Sequence, residues 1–240
     1  MTRPSTQMRI GTPQPLAASI VALAETPDDV PGIDLRLEAL AQLAADRIGA
    51  AEYAAVSTRP SNGCSMVAAS NELVDAVDDC PSLPPLDDDG HDSSTMITWP
   101  GFREAAAGMG LQVVSVPLFT GSGAAIATLD LYGRDADAMA PLTAGIGAAY
   151  DADLAPENDH EESPELDAGS EELIAGFTEA LSVRATIQLA LDLVGERPDV
   201  GARHAYPELR LHAADRGVSL LTAANNVISE KLAGHFKNHE

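Results

Sequence analysis

The residues best suited to chemistry in this 240-residue chain are four arginines toward its C-terminal end. Arg203 and Arg210 stand seven apart, two turns of an α-helix, so both guanidinium groups project from nearly the same face. Arg184 precedes them on what reads as a separate helix, and Arg216 falls in the turn before a third. Each guanidinium offers a planar fork of donors that matches phosphate and carboxylate oxygens alike. The short side chains of Ala205, Ala213 and Ala214 leave room for a phosphate backbone or a loop base to come close. A second reading makes the same arginines solvated surface charges paired with Glu208, Asp215 and Glu196.

Other constellations carry less. The run Asp87-Asp88-Asp89-Gly90-His91-Asp92 concentrates oxygen ligands. It lacks the distal bidentate Glu of a calcium-binding loop, with Ile97, Thr98 and Trp99 near that place, and reads as a polar loop. His235 and His239 share a helical face without nearby cysteines and read as a fraying tail, so no metal site is expected. No nucleophile elbow, His-Glu-x-x-His pair, phosphate-cradling loop or dinucleotide fingerprint stands at a strand-to-helix junction. The sequence therefore points away from an enzyme and implies no cofactor. Cys64 and Cys80 are too few for a disulfide scaffold and lack zinc-site spacing, which indicates a reducing compartment, the cytoplasm.

The elements that must position these groups fall into an order. Arg3 and Arg9 ahead of the apolar stretch Leu16 to Ala24 have the outline of a signal peptide. Pro13 and Pro15 at its entrance, with Leu16, Ile20, Leu23 and Ala24 on one helical face, indicate instead a leading helix docked on a following domain. Helical spacing continues from Ile33 to Ile48. Glu52 to Arg59 and Cys64 to Ser70 read as strands joined by the turn Pro60-Ser61-Asn62-Gly63. Asn71 to Val77 reads as a helix, and Asp78 to Thr98 is a long loop rich in Pro, Asp and Ser. A short helix over Phe102 to Gly108, strands over Leu111 to Phe119 and Ala124 to Tyr132, and a helix from Leu142 to Tyr150 complete an antiparallel sheet with helices on it, an α+β unit.

Asp151 to Ala168 holds eight acids and no Lys or Arg, and reads as a solvated linker. Helical patterns then cover Ser170 to Val194, Ala202 to Asp215 and Ser219 to Leu232, a three-helix bundle. No stretch is long and apolar enough to cross a bilayer, so no membrane partner is expected. The net charge of −23 would repel a polyanion. That charge is unevenly spread: residues 1–168 carry 27 acids and 7 bases, residues 169–240 only 10 acids and 7 bases. An anionic partner is least repelled by the C-terminal module.

The C-terminal part resembles an ANTAR domain, the three-helix RNA-binding module of bacterial antitermination regulators. The resemblance rests on Arg184-x-x-Ile187-x-x-Ala190, Ala205-Tyr206-x-x-Leu209-Arg210 and Leu220-x-x-x-Ala224-x-x-Val227-Ile228. Where such a helix usually continues with Lys and Gly, this chain has Leu191 and Asp192. The preceding part resembles a GAF sensory domain in Trp99-Pro100-x-Phe102, in Gly110-Leu111 leading into Ser115-Val116-Pro117-Leu118, and in Leu129-x-Leu131-Tyr132.

These resemblances imply an N-terminal extension over 1–31, a GAF-like domain over 32–152, a linker over 153–168, an ANTAR-like bundle over 169–232 and a tail over 233–240. They further imply a homodimer that binds hairpin RNA through Arg184, Arg203, Arg210 and Arg216 and promotes terminator read-through. A small ligand would lie near Cys80, Trp99 and Phe102, although Trp99 reads first as an apolar anchor for its loop. His91 and Cys80 have no spacing diagnostic of haem or bilin. The alternative function is a scaffold whose bundle has exchanged RNA for a protein partner, in keeping with Leu191 and Asp192.

Overall fold

The computed structural model describes residues 14–58, 66–69, 96–98, 108–151, 166–197 and 200–237. Two helices lead, α1 (Pro15–Glu25) and α2 (Ile33–Arg47), followed by strands β1 (Tyr53–Thr58), β2 (Met66–Ala69), β3 (Met96–Thr98), β4 (Gln112–Phe119) and β5 (Ala125–Gly133). Helix α3 (Ala136–Tyr150) comes next, then the long α4 (Ala168–Gly195), a 3-10 turn (Ala202–His204), α5 (Ala205–Arg216) and α6 (Leu220–Lys237). The chain is thus a mixed α+β protein. The helices expected over Asn71 to Val77 and, apart from Gly108, over Phe102 to Gly108 lie outside the described residues, as do the turn at Pro60 to Gly63 and most of the acidic stretch.

The five strands form one antiparallel sheet in the order β3-β2-β1-β5-β4. Strand alternation sends Ala54 and Val56 of β1, Val114, Val116 and Leu118 of β4, and Ala127, Leu129 and Leu131 of β5 to one face. All of these are buried, and they join helix residues from Leu16 to Val227 in one hydrophobic cluster. The opposite face carries Ala55, Ser57, Ser115, Asp130 and Tyr132.

Helix α1 is docked, as its apolar face indicates, and its most extensive helix contact is with α4. Helix α4 also packs on α3, α5 and α6, so the core runs without interruption from the leading helix to the last one. The boundaries placed at 31 and 169 do not coincide with a break in it, and α6 continues to Lys237, past residue 232.

One helix start and one helix end differ from the sequence reading for local reasons. Helix α3 begins six residues before Leu142, because the Asp135 carboxylate caps it by accepting the N–H groups of Asp137 and Ala138 at 3.0 and 3.2 Å. Pro141 is accommodated inside that helix because the carbonyl its missing N–H would have served belongs to Asp137, which is exposed and open to water. Helix α5 ends at Gly217, whose φ of +62° lets the N–H groups of Gly217 and Val218 turn back to Ala214 and Ala213.

Asp167 caps α4. Its Oδ1 accepts the N–H groups of Gly169 and Ser170 at 2.9 and 3.0 Å, and its Oδ2 the Ser170 hydroxyl at 2.6 Å. Burial alone would push this carboxyl upward. The hydrogen bonds from Ser170 and from the Gly49 and Gly169 backbones outweigh it and hold the group below the usual carboxylate range. A folded-state value below the unfolded one contributes stability above about pH 3.9, lost as pH falls through the folded value. Asp167→Ala should therefore lower urea stability by about 1 kcal/mol at pH 7. Its deficit against the parent protein should narrow in melts recorded at progressively more acidic pH below about 3.9.

Candidate nucleic-acid interface

The four arginines meet different surroundings. Arg184 projects from α4 onto the tip of the β4–β5 turn, where its Nε donates to the Gly123 carbonyl at 2.8 Å. Its guanidinium lies 4.8 Å from the centroid of the Phe119 ring, a cation–π contact. Phe119 stacks in turn on Phe177, and Tyr150 meets Phe177 edge-on at 5.0 Å. Burial raises the Tyr150 phenol above its ordinary range, with the Arg184 charge opposing. Beside Arg184, the Gln188 amide donates to the Ser122 carbonyl at 2.7 Å. Arg184 thus clamps α4 to the sheet.

Arg210 extends from α5 to the loop between α1 and α2, where its Nη2 lies 2.9 Å from Asp29 Oδ1. It also stands over the Tyr206 ring at 5.8 Å. The Tyr206 hydroxyl donates to Asp28 Oδ1 and accepts the Asp28 N–H, each at 3.3 Å. Burial raises the Tyr206 phenol, and the Asp28 charge adds to that. Arg216 is the last residue of α5 rather than part of the following turn, and its Nη1 lies 3.7 Å from Glu230 of α6. A cation there also complements the C-terminal end of the α5 dipole.

Arg203 lies outside α5, in the 3-10 turn that precedes it, so helical spacing does not govern its direction relative to Arg210. It is exposed and pairs with no described residue.

Glu208 and Asp215, expected as partners from their proximity in sequence, form no ion pair with these arginines. Glu196 pairs with Lys231 at 3.3 Å. The carboxylate that meets Arg210 comes instead from the far end of the chain, a pairing that sequence spacing cannot reveal. Leu191 packs against the core, while Asp192 is exposed.

A second polar group was not singled out in the sequence. Asp130, on β5 between β1 and β4, is fully buried, and its Oδ1 and Oδ2 accept the hydroxyls of Ser115 and Ser57 at 2.7 and 3.0 Å. A buried carboxylate is costly unless donors surround it. Its signal was an ionisable residue inside an otherwise apolar strand, on the same alternation as Thr128 and Tyr132. Cys80, Trp99, Phe102 and His91, like the Asp87 to Asp92 run and His239, lie outside the described residues.

The fold and this cation set define a mixed α+β protein whose sheet and C-terminal helices share one core. Among the described residues, one of the four arginines, Arg203 in the turn before α5, meets no partner. Comparison with protein-family models, curated proteins and solved structures yields no match. Among the described residues no helix is long and apolar enough to cross a membrane.

Proposed function

We propose that this chain is a regulator of the GAF-and-ANTAR type, in which the helices α4, α5 and α6 bind structured RNA and the antiparallel sheet belongs to a sensory or dimerising part. The observation that carries this reading is the grouping of three helices, each packed on the other two, with Arg203, Arg210 and Arg216 on or beside α5. The proposed role is non-catalytic. Phosphate contacts from these arginines would supply affinity and position the protein. Arg184 contributes to the fold in this conformation and is a weaker candidate for direct contact than the sequence alone suggested.

Measuring affinity for a synthetic two-hairpin RNA across a salt series tests this. Binding should fall steeply with salt, and Arg203→Ala should weaken it and flatten the log–log slope by about 0.7–0.9, the loss of one phosphate contact. Arg184→Ala should act mainly on stability. Absence of binding even at low ionic strength would overturn the RNA reading.

One observation favours the alternative, a protein-docking scaffold: Arg210 and Arg216 already face carboxylates, and Leu211 between them is 56% exposed. Leu191→Lys with Asp192→Gly separates the two. RNA binding that appears only in that variant assigns the native chain to the scaffold role.

A further inference from the structure

The loop that joins α1 to α2 carries two adjacent carboxylates, and both are directed at α5. Asp29 Oδ1 lies 2.9 Å from Arg210 Nη2, and Asp28 Oδ1 accepts the Tyr206 hydroxyl at 3.3 Å. Asp28 Oδ1 also accepts the Ser122 N–H at 3.1 Å, at the tip of the β4–β5 turn. That turn is held in place three times more, once by the Arg184 Nε, which donates to the Gly123 carbonyl at 2.8 Å. The Gly121 N–H donates to the Thr26 carbonyl at 2.8 Å, and the Gln188 amide donates to the Ser122 carbonyl at 2.7 Å. The position of the acidic pair is therefore tied to the edge of the sheet formed by β4 and β5, as well as to α5.

We infer that the Asp28-Asp29 loop is an intramolecular mimic of phosphate that occupies Arg210 and Tyr206 and holds the α5 surface closed to polyanions until the β4–β5 turn shifts. The inference rests on the RNA-binding reading above for the identity of the polyanion. Two negatively charged oxygen groups on consecutive residues meet a guanidinium and the phenol beneath it, the partners that a nucleic-acid phosphate would use. The pair is largely open to water, with side chains 38% exposed at Arg210 and 65% at Asp29. An exposed ion pair of this kind is weak, so the latch is suited to displacement by a competing anion. Because Asp28 is shared between α5 and Ser122, a displacement of the β4–β5 turn that also releases its bonds to Thr26, Gln188 and Arg184 withdraws the carboxylates.

The test measures the affinity of the full chain for a synthetic two-hairpin RNA and, separately, for inorganic polyphosphate. The parent is compared with Asp28→Asn/Asp29→Asn, and with a control of equal charge change, Asp137→Asn/Glu171→Gln, at exposed positions of α3 and α4. Each is measured with and without Arg210→Ala. The loop variant should bind about twofold to fivefold more tightly than the parent at low salt, the scale of a released surface pair. The control should change affinity by less than about twofold once salt screens distant charge. Arg210→Ala should cost the loop variant more than it costs the parent, because only there is the guanidinium free.

Equal gains in loop variant and control, or an equal cost of Arg210→Ala in both backgrounds, overturn the latch. If that pattern of equality is seen while RNA binds throughout, the RNA reading stands alone. If polyphosphate shows the expected coupling and RNA does not bind, the latch stands and the RNA reading fails. No binding of either polyanion overturns both.

Discussion

Replacement of Glu172 by Ala should lower stability by about 3 kcal/mol, the joint effect of a lost helix cap and of buried donors left without an acceptor. Glu172 is 2% exposed on α4, and its carboxylate joins three elements. Its Oε1 accepts the N–H groups of Leu16 and Ala17 at 2.7 and 3.3 Å, and its Oε2 the Arg47 Nε at 2.7 Å. The two amides belong to the first turn of α1, where Gln14 provides no side-chain cap and Pro15 has no N–H to offer. A residue from α4 therefore caps α1 from across the interface. Truncation leaves both amides buried without an acceptor, whereas Arg47, with a third of its side chain exposed, recovers partly through water. For a chain of this length the same loss should lower Tm by roughly 6–12 °C. Urea unfolding with an unchanged m-value would place the effect in the folded state. Glu172→Gln retains one acceptor oxygen and should lose about half as much. An Ala variant within about 0.5 kcal/mol of the parent would exclude this role for Glu172.

Most elements were legible because apolar periodicity specifies them locally. Leu16, Ile20 and Leu23 repeat at helical spacing and are buried, and Leu129 and Leu131 alternate with Asp130 and Tyr132 across two faces of β5. Strand β3 was missed because it has only three residues, Met96 to Thr98, at the end of a stretch without alternation. Its pairing with β2, through Met66, Val67 and Ala68, is a tertiary event rather than a local preference. Helix α3 starts earlier than its apolar pattern from Leu142 indicates, because the cap at Asp135 lies further upstream.

The candidate site was legible in composition and not in geometry. Arg184, Arg203, Arg210 and Arg216 could be read as a set, yet their partners lie on the β4–β5 turn, in the α1–α2 loop and on α6. Such partners become visible only when the ends of the chain are brought together. Glu172 illustrates the same limit. In sequence it is one acid among several near the start of a helix, and in the fold it is a buried acceptor for another helix.

The close approach that places Glu172 under α1 and α2 also sets the largest steric effect expected among the glycines of the described residues. Gly169 opens α4 against the end of α2, and a Cβ built there would lie 1.9 Å from the Arg47 carbonyl oxygen and 2.9 Å from the Ile48 nitrogen. Both obstacles are backbone, so no rotamer change relieves the clash, and α4 must move away from α2. Overpacking of a core typically costs about 1–3 kcal/mol when side chains can yield. Because they cannot yield here, Gly169→Ala should fall at or above about 3 kcal/mol. Displacement of the α4 start would also strain the Asp167 cap and the Arg47–Glu172 pair, which lie within a few residues of the clash. Amide hydrogen exchange should therefore show the first turns of α1 and α4 losing protection together, with α5 and α6 less affected. The gain in helix propensity from Ala is about 1 kcal/mol in the opposite direction. A variant as stable as the parent would mean that α4 can start without touching the end of α2, and would remove the geometric basis for a single core that spans the chain.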